Sequence, residues 1–307
     1  MNSFRISALG ERALIRRIAR GIRTGRGVVR GIGDDCAVLS DGPGPYQLFA
    51  SDMLVEGVHF RRTADPALIG WKALAVNVSD VDAMGGVPRH AVVALGLPPS
   101  TRVGFVDGLY RGLRRCAKRY GVNLVGGDTV RAPRVVIDVA ILGEVEKGRV
   151  IYRSGAKVGD ALLVTGRLGG SLRSGRHLRF SPRVREARAL TAQARLHAMM
   201  DLSDGLSQDL PRICRASGVG AVLQGAAIPR HAGCSLTQAL TDGEDFELLI
   251  ASAEEDAGRL LPWAKRNLPC GLHRIGTVVA AKPHSVVTLV APKGMKVSSS
   301  LAGFRHF

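Results

Sequence analysis

Carboxylates recur along this chain in short glycine- and serine-containing pieces bordered by apolar residues: Gly31-Ile32-Gly33-Asp34-Asp35, Ser51-Asp52, Ser79-Asp80, Gly126-Gly127-Asp128, Asp201-Leu202-Ser203-Asp204 and Gly243-Glu244-Asp245. If they converge in space they lose hydration and repel one another, so a cation must sit among them. Hard oxygen donors of this kind suit Mg²⁺, which takes a few protein oxygens in near-octahedral geometry and leaves its other positions to water and phosphate. The glycines add a second capability, because backbone N–H groups unshielded by a side chain approach phosphate oxygens closely. No established nucleotide motif accounts for the pattern. The chain has no G-x-x-x-x-G-K-[ST] loop and no protein-kinase H-R-D, and Gly31-Ile32-Gly33 lacks the third glycine of a dinucleotide fingerprint.

Each piece alone also has a plain structural reading. An Asp-Asp pair at a turn caps a helix or faces solvent, and Ser79-Asp80 and Ser203-Asp204 can each cap or exit a helix. Gly127-Asp128 can be a simple turn, His59 a satisfied loop histidine, Arg153 a solvated boundary charge and Phe304 a packing anchor.

Alternating helices and strands must hold these groups. Residues 8–21 place Leu9, Leu14, Ile15 and Ile18 at helical spacing with arginines opposite, which predicts one amphipathic helix. Tyr46 to Asp52 reads as a strand ending on a carboxylate, with His59 just beyond. Asp65-Pro66 is an N-cap followed by proline at the first helical position. The helix it starts passes Trp71, Leu74, Ala75 and Val78 and stops near Met84, at Gly85-Gly86. A strand over Arg89 to Leu97, a helix over 102–120, a short strand Val122 to Val125 delivering Gly126-Gly127-Asp128, and a strand over Val135 to Leu142 complete an α/β first half. Turn residues gather from Gly143 to Gly159 and place a domain boundary near 147, giving domains of 1–147 and 148–307. Beyond it, strands are expected at Ala161 to Thr165, Met199 to Asp201, Phe246 to Ala251, His273 to Val279 and Ser285 to Val290, with helices over 183–197, 206–216 and 253–267. The fold class is α/β (α+β) in two domains.

Composition narrows the partners. With 307 residues and 46% hydrophobic content, either half can bury a core. The 43 Lys and Arg exceed the 26 Asp and Glu by enough to give a formal net charge of +17, which raises nucleic acid as a partner. The arginines are mostly scattered, however, and 5% aromatics leave little for stacking bases, so no specific nucleic-acid site is expected. Cys36, Cys116, Cys214, Cys234 and Cys270 are odd in number and form no C-x-x-C pair, which favours a reducing compartment without disulfide or zinc. No signal-peptide core and no membrane-length apolar run is visible, and a cytoplasmic protein is expected.

Taken in order, the pieces form a recognisable set: Gly31-Ile-Gly-Asp-Asp-Cys-Ala, Ser51-Asp52 with Gly57-Val58-His59-Phe60, Lys72-Ala-Leu-Ala-Val-Asn-Val-Ser-Asp80, Gly126-Gly-Asp-Thr129, Arg153-Ser-Gly-Ala156, Asp201-Leu-Ser-Asp-Gly205 and Gly243-Glu-Asp-Phe-Glu247. Together they resemble the thiamine-monophosphate kinase family, from about residue 30 to Gly303-Phe304. The resemblance implies a two-domain fold shared with aminoimidazole ribonucleotide synthetase, selenophosphate synthetase and the hydrogenase-maturation dehydratase. It implies a homodimer formed through the first domains, with ATP and several Mg²⁺ ions along the first domain and further ligands from the second. Carried over by position, Asp35, Ser51, Asp52, Asp80, Asp128, Asp201 and Asp204 would hold Mg²⁺. Gly127, Asp128, Arg153, Ser203 and Tyr110 would contact ATP, and His59, Glu244 and Phe304 would face thiamine monophosphate. The implied reaction is direct transfer of the ATP γ-phosphoryl group to that substrate, giving thiamine diphosphate. Two departures stand out: a shortened segment after Gly166, and Asp242 where glycine is common.

Other readings remain at this point. No Cys precedes Cys36 and no Lys precedes Lys72, unlike the expectation for a selenophosphate synthetase, and the chain ends Arg305-His306-Phe307 rather than on the reactive cysteine of the hydrogenase-maturation protein. Aminoimidazole ribonucleotide synthetase stays open on fold analogy. So does a non-catalytic, basic nucleic-acid-binding protein, which would bind in a salt-sensitive way without Mg·ATP.

Overall fold

The computed structural model describes residues 5–282 and 286–291. It opens with two short helices, α1 (Ile6–Leu9) and α2 (Glu11–Ala19), in place of the single helix expected over 8–21. Gly10 lies between them at φ +73°, a conformation that ends one helix and offsets the next.

A first sheet follows, from β1 (Val28–Arg30), β2 (Ala37–Leu39), β3 (Tyr46–Val55), β4 (Val87–Leu97), β5 (Asn123–Arg131) and β6 (Val136–Val145), with α3 (Pro66–Ala83) after β3 and α4 (Val103–Tyr120) after β4. Its order is β1-β2-β3-β6-β4-β5. Neighbours are antiparallel except β4 and β5, which run parallel because α4 carries the chain back between them. α3 starts as its sequence dictates: the Asp65 carboxylate accepts the Ala67 N–H at 2.8 Å, and Pro66 occupies the first turn. The helix is buried along almost its whole length between the sheet and α4. Gly70 and Gly112 permit this close crossing, since a methyl group on either would come within 1.9 Å of a carbonyl oxygen of the other helix.

The second sheet comprises β7 (Ala161–Thr165), β8 (Leu196–Asp201), β9 (Val219–Gln224), β10 (Leu248–Ser252), β11 (Leu272–Ala280) and β12 (Val287–Val290), in the order β12-β9-β11-β7-β10-β8. Its helices are α5 (Ser171–Ser174), α6 (Val184–Gln193), α7 (Leu206–Ser217), α8 (Leu236–Thr241) and α9 (Glu254–Asn267), with a 3₁₀ turn at Arg176–Leu178. β7 and β10 are buried at every residue. Their side chains alternate between two cores: Leu162 and Val164 face one, Ala161 and Leu163 the other. A strand covered on both faces therefore reads as an unbroken apolar run.

Some boundaries differ from the sequence reading. β5 continues through Gly126-Gly127-Asp128 instead of ending before them, because Gly127 passes so close to β4 that a Cβ there would meet the Val93 oxygen at 1.8 Å. The helix expected over 183–197 ends at Gln193, and β8 already begins at Leu196. Several elements were not foreseen: β1, β2, α5, the 3₁₀ turn, β9 and α8. β9 is diluted by Gly220, and α8, six residues long, is announced by the capping box between Ser235 and Gln238.

Candidate active site

β2 pairs with β3 only as far as Phe49, so beyond that residue the outer edge of β3 is left open. A cavity of about 390 Å³ lies against this edge, where Ala50, Ser51, Asp52 and Leu54 form one wall. Most of the remaining polar groups arrive at the ends of elements. Asp35 comes from the turn before β2, His59 from the loop after β3, and Asp80 from the last turn of α3. Arg153 comes from the segment joining the two sheets, Asp201 from the end of β8, and Ser203 and Asp204 from the turn into α7. Arg212 of α7, Glu244 and Phe246 before β10, and Glu11 and Ile15 of α2 complete the cavity.

Asp35, Asp80 and Asp201 each present a carboxylate oxygen, and these oxygens lie within 4.8 Å of one another. Ser79 Oγ donates to Asp201 Oδ2 at 2.6 Å. Arg153 donates to Asp35 Oδ1 from Nη2 at 2.5 Å and from Nε at 3.2 Å, while its backbone N–H donates to Asp34 Oδ1 at 2.8 Å. Asp35 Oδ2 is buried without a hydrogen-bond partner among the described residues. Burial, then the charges of Asp52, Asp201 and Asp35, push the Asp80 carboxyl well above the ordinary carboxylate range. Burial, then Asp35, raises Asp201 to about 7. Burial raises Asp34 to about 6 against the opposing Arg153 N–H. Arg212, the other guanidinium of the cavity, is paired with Asp204 and Asp209. Crowded hard oxygens, one of them orphaned, with cationic charge that does not offset them, fit a small divalent cation such as Mg²⁺.

Of the residues singled out from sequence, Asp35, Ser51, Asp52, His59, Asp80, Arg153, Asp201, Ser203, Asp204 and Glu244 line this one cavity. Gly127 and Asp128 stand apart on β5, the outermost strand of the first sheet. Tyr110 is half-buried on α4 against the first core. Phe304 lies outside the described residues. Glu11, Ile15, Arg212 and Phe246 line the cavity without having been assigned a role there from sequence. Nothing local marks Arg212, which reaches the cavity because α7 turns that face toward Asp204.

Residues 33–145 match the AIR synthase related protein, N-terminal domain, and residues 157–288 match the AIR synthase related protein, C-terminal domain. The thiamine-monophosphate kinase of Rhodopirellula baltica is 41% identical over 250 residues, spanning 75% of this chain and 78% of that protein. The chain belongs to the thiamine-monophosphate kinase family. The Synechococcus elongatus member is 35% identical over 304 residues, covering 90% of this chain and 91% of its own. A solved structure of AaThiL complexed with AMPPCP and TMP is similar over 100% of both chains, with a TM-score of 0.84 and 30% identity.

The segment after Gly166 and Asp242, both singled out from sequence, meet in one place. The segment after Gly166 folds as α5 and the 3₁₀ turn, packed on the loop that carries Glu244. Gly170 N–H donates to Asp242 Oδ2 at 2.8 Å, and Gly169 N–H to both Asp245 oxygens at 3.0 and 3.1 Å. Ser171 Oγ donates to the Glu244 carbonyl at 2.6 Å, and Arg176 Nη2 to Asp245 Oδ1 at 2.7 Å. Asp242 thus anchors the segment that supports Glu244. The support is needed, because Glu244 and Phe246 sit at φ +52° and +51°, where non-glycine residues are strained.

Proposed function

We infer that the protein catalyses ATP-dependent phosphorylation of thiamine monophosphate to thiamine diphosphate, by direct in-line transfer with several Mg²⁺ ions. The observation that carries this reading is the convergence of Asp35, Asp80 and Asp201 with Arg153 in one cavity, in a chain of this family. The attacking group is a phosphate oxygen of the acceptor, already anionic near neutral pH, so no strong general base is required. Its bond to the γ-phosphorus forms as the bond from that phosphorus to the β,γ-bridging oxygen breaks, and ADP leaves. Mg²⁺, when bound by Asp35, Ser51, Asp52, Asp80, Asp128, Asp201 and Asp204, offsets the repulsion between the two phosphate groups. Arg153 and Ser203 contact ATP from the second half, with Tyr110, Gly127 and Asp128 from the first. His59, Glu244 and Phe304 face the thiamine monophosphate. Carboxylates committed to metal are poor nucleophiles, which favours direct transfer over a phospho-aspartate.

The deciding assay mixes purified protein, Mg·ATP and thiamine monophosphate and follows thiamine diphosphate by chromatography. Absence of product, with ATP consumed on aminoimidazole precursors instead, would refute the assignment.

Metal binding also sets a pH signature. Asp201, at about 7, and Asp80 have folded-state pKa values raised above the unfolded value of about 4. The metal-free fold therefore holds more protons than the unfolded chain between those pH values, and this contribution to stability falls as pH rises from about 4 through about 7. Mg²⁺ relieves the repulsion, so the gap in melting temperature between Mg²⁺ and EDTA should widen from pH 5 to pH 8. A gap that is absent or constant would argue against metal at these carboxylates.

The same reading assigns residues 1–147 to ATP and dimer contacts and 148–307 to completing the site, in a cytoplasmic homodimer. The first sheet supports the dimer. α3 and α4 cover one face, while Phe49, Met53, Val92 and Val130 share the other by register and are each more than 40% exposed. Among the described residues no strand pairs with the outer edge of β5, which carries Asp128 on the same face, so a second copy covering it would also account for Gly127 and Asp128 lying outside their own protomer's cavity. Phe49→Asp with Val130→Asp should halve the mass measured by light scattering; a monomeric wild type would refute the dimer. No described helix is long and apolar enough to cross a membrane, and all five cysteines are free.

A further inference from the structure

Lys72 has no part in the mechanism above, yet its side chain is wholly buried in α3, within the apolar run Trp71-Lys72-Ala73-Leu74-Ala75-Val76. A buried ammonium is costly unless its protons are all accepted. Here they are: Nζ donates to Glu244 Oε1 at 2.6 Å, to Glu244 Oε2 at 2.7 Å and to the His59 carbonyl at 2.9 Å. Both acceptor residues line the cavity, and they come from opposite halves of the chain. His59 follows β3 of the first sheet, and its Nδ1 accepts the Val55 N–H at 3.0 Å. Glu244 precedes β10 of the second sheet, with its N–H donated to the Ser203 carbonyl at 2.7 Å.

The backbone of Glu244 is therefore fixed, but its carboxylate is placed by Lys72. A glutamate side chain with an open cavity before it would otherwise sample several rotamers, and ordering it on substrate binding would cost affinity. We propose that Lys72 is a positioning residue for the thiamine end of the acceptor, holding the Glu244 carboxylate and the His59 backbone in one arrangement. The pair is also neutral as a unit. The site then meets a cationic heterocycle with an oriented Glu244–Lys72 dipole instead of an unbalanced anion, which tempers attraction to any other cation. This inference rests on thiamine monophosphate being the acceptor.

The test compares full-length wild type, Lys72→Gln, Glu244→Gln and the double variant by steady-state kinetics, with each substrate varied in turn, and by thermal melting. Lys72→Gln should raise KM for thiamine monophosphate about tenfold, the scale of one lost charge-assisted contact, and leave KM for ATP within about twofold. Because Lys72 acts through Glu244, the double variant should match Glu244→Gln in that KM and not multiply the two effects. A lowered melting temperature with KM for thiamine monophosphate unchanged would reduce Lys72 to a tie between the halves and overturn the proposal. Equal rises in both KM values would do the same. If Lys72→Gln does not fold, the comparison of the double variant with Glu244→Gln decides, and a further rise there refutes the coupling. A wild type that forms no thiamine diphosphate would sink the underlying function, an outcome distinct from an active wild type with an indifferent Lys72.

Discussion

Asp80→Asn is expected to lower thiamine diphosphate formation by about 10³-fold, the scale for removing a preorganised electrostatic contact at a transferring group, while the metal-free protein melts no earlier than wild type. The two halves of this result come from one feature. Asp80 lies in the last turn of α3, where the helix dipole already disfavours negative charge. The charges of Asp52, Asp201 and Asp35 act on its buried carboxyl, and its pKa stands well above the ordinary range. Asparagine keeps the shape and removes the charge. Without Mg²⁺ the change relieves repulsion; with Mg²⁺ it removes a ligand. Steady-state kinetics and melts in EDTA and in Mg²⁺ separate the two effects, and the variant should lose most of the stabilisation that Mg²⁺ confers. Wild-type turnover with an undiminished Mg²⁺ effect would remove Asp80 from the metal site.

Arg153→Met should behave with the opposite sign. In the metal-free protein the Arg153 guanidinium is the hydrogen-bond partner of Asp35, whose side chain is 0% exposed. Removing one member of a buried pair leaves an uncompensated charge, at a cost of about 3 kcal/mol. Melting in EDTA should fall accordingly, and Mg²⁺ should recover part of the loss because it supplies the positive charge that Asp35 then lacks. KM for ATP should rise by about 10- to 100-fold, as for a lost hydrogen bond to a charged group. A variant that melts like wild type in EDTA and keeps its KM for ATP would exclude Arg153 from both roles. On the proposed reading Asp80 and Arg153 bracket the site: a carboxylate that Mg²⁺ would neutralise, and a guanidinium that pairs with Asp35 in its absence.

Much of the fold is legible without coordinates where a signal is local. Asp65-Pro66 starts α3 and Gly85-Gly86 follows its end because capping and backbone conformation are decided within a turn or two. β7 is readable from its apolar run, although the same run cannot say that its two faces serve different cores. The misses have equally specific causes. Periodicity over 8–21 is blind to the positive φ of Gly10 that divides the helix. Ending a strand before Gly126 follows a sound local rule, which loses here to the close approach of β5 to β4.

The sequence by itself determined the inventory of the site: which carboxylates exist, on which glycine and serine turns they sit, in what order, and the family that order resembles. It determined α3 as well, and so that Asp80 comes near a helix end. Tertiary structure alone decided that oxygens from positions 35, 80 and 201 lie within 4.8 Å, that Arg153 faces Asp35, and that Lys72 spans to Glu244 from the other half of the chain. Capping, turn geometry and periodicity act over a few residues, whereas these contacts are set by how two buried sheets and the helices between them pack. That arrangement is a sum over many distant apolar contacts, and no short stretch of sequence carries it.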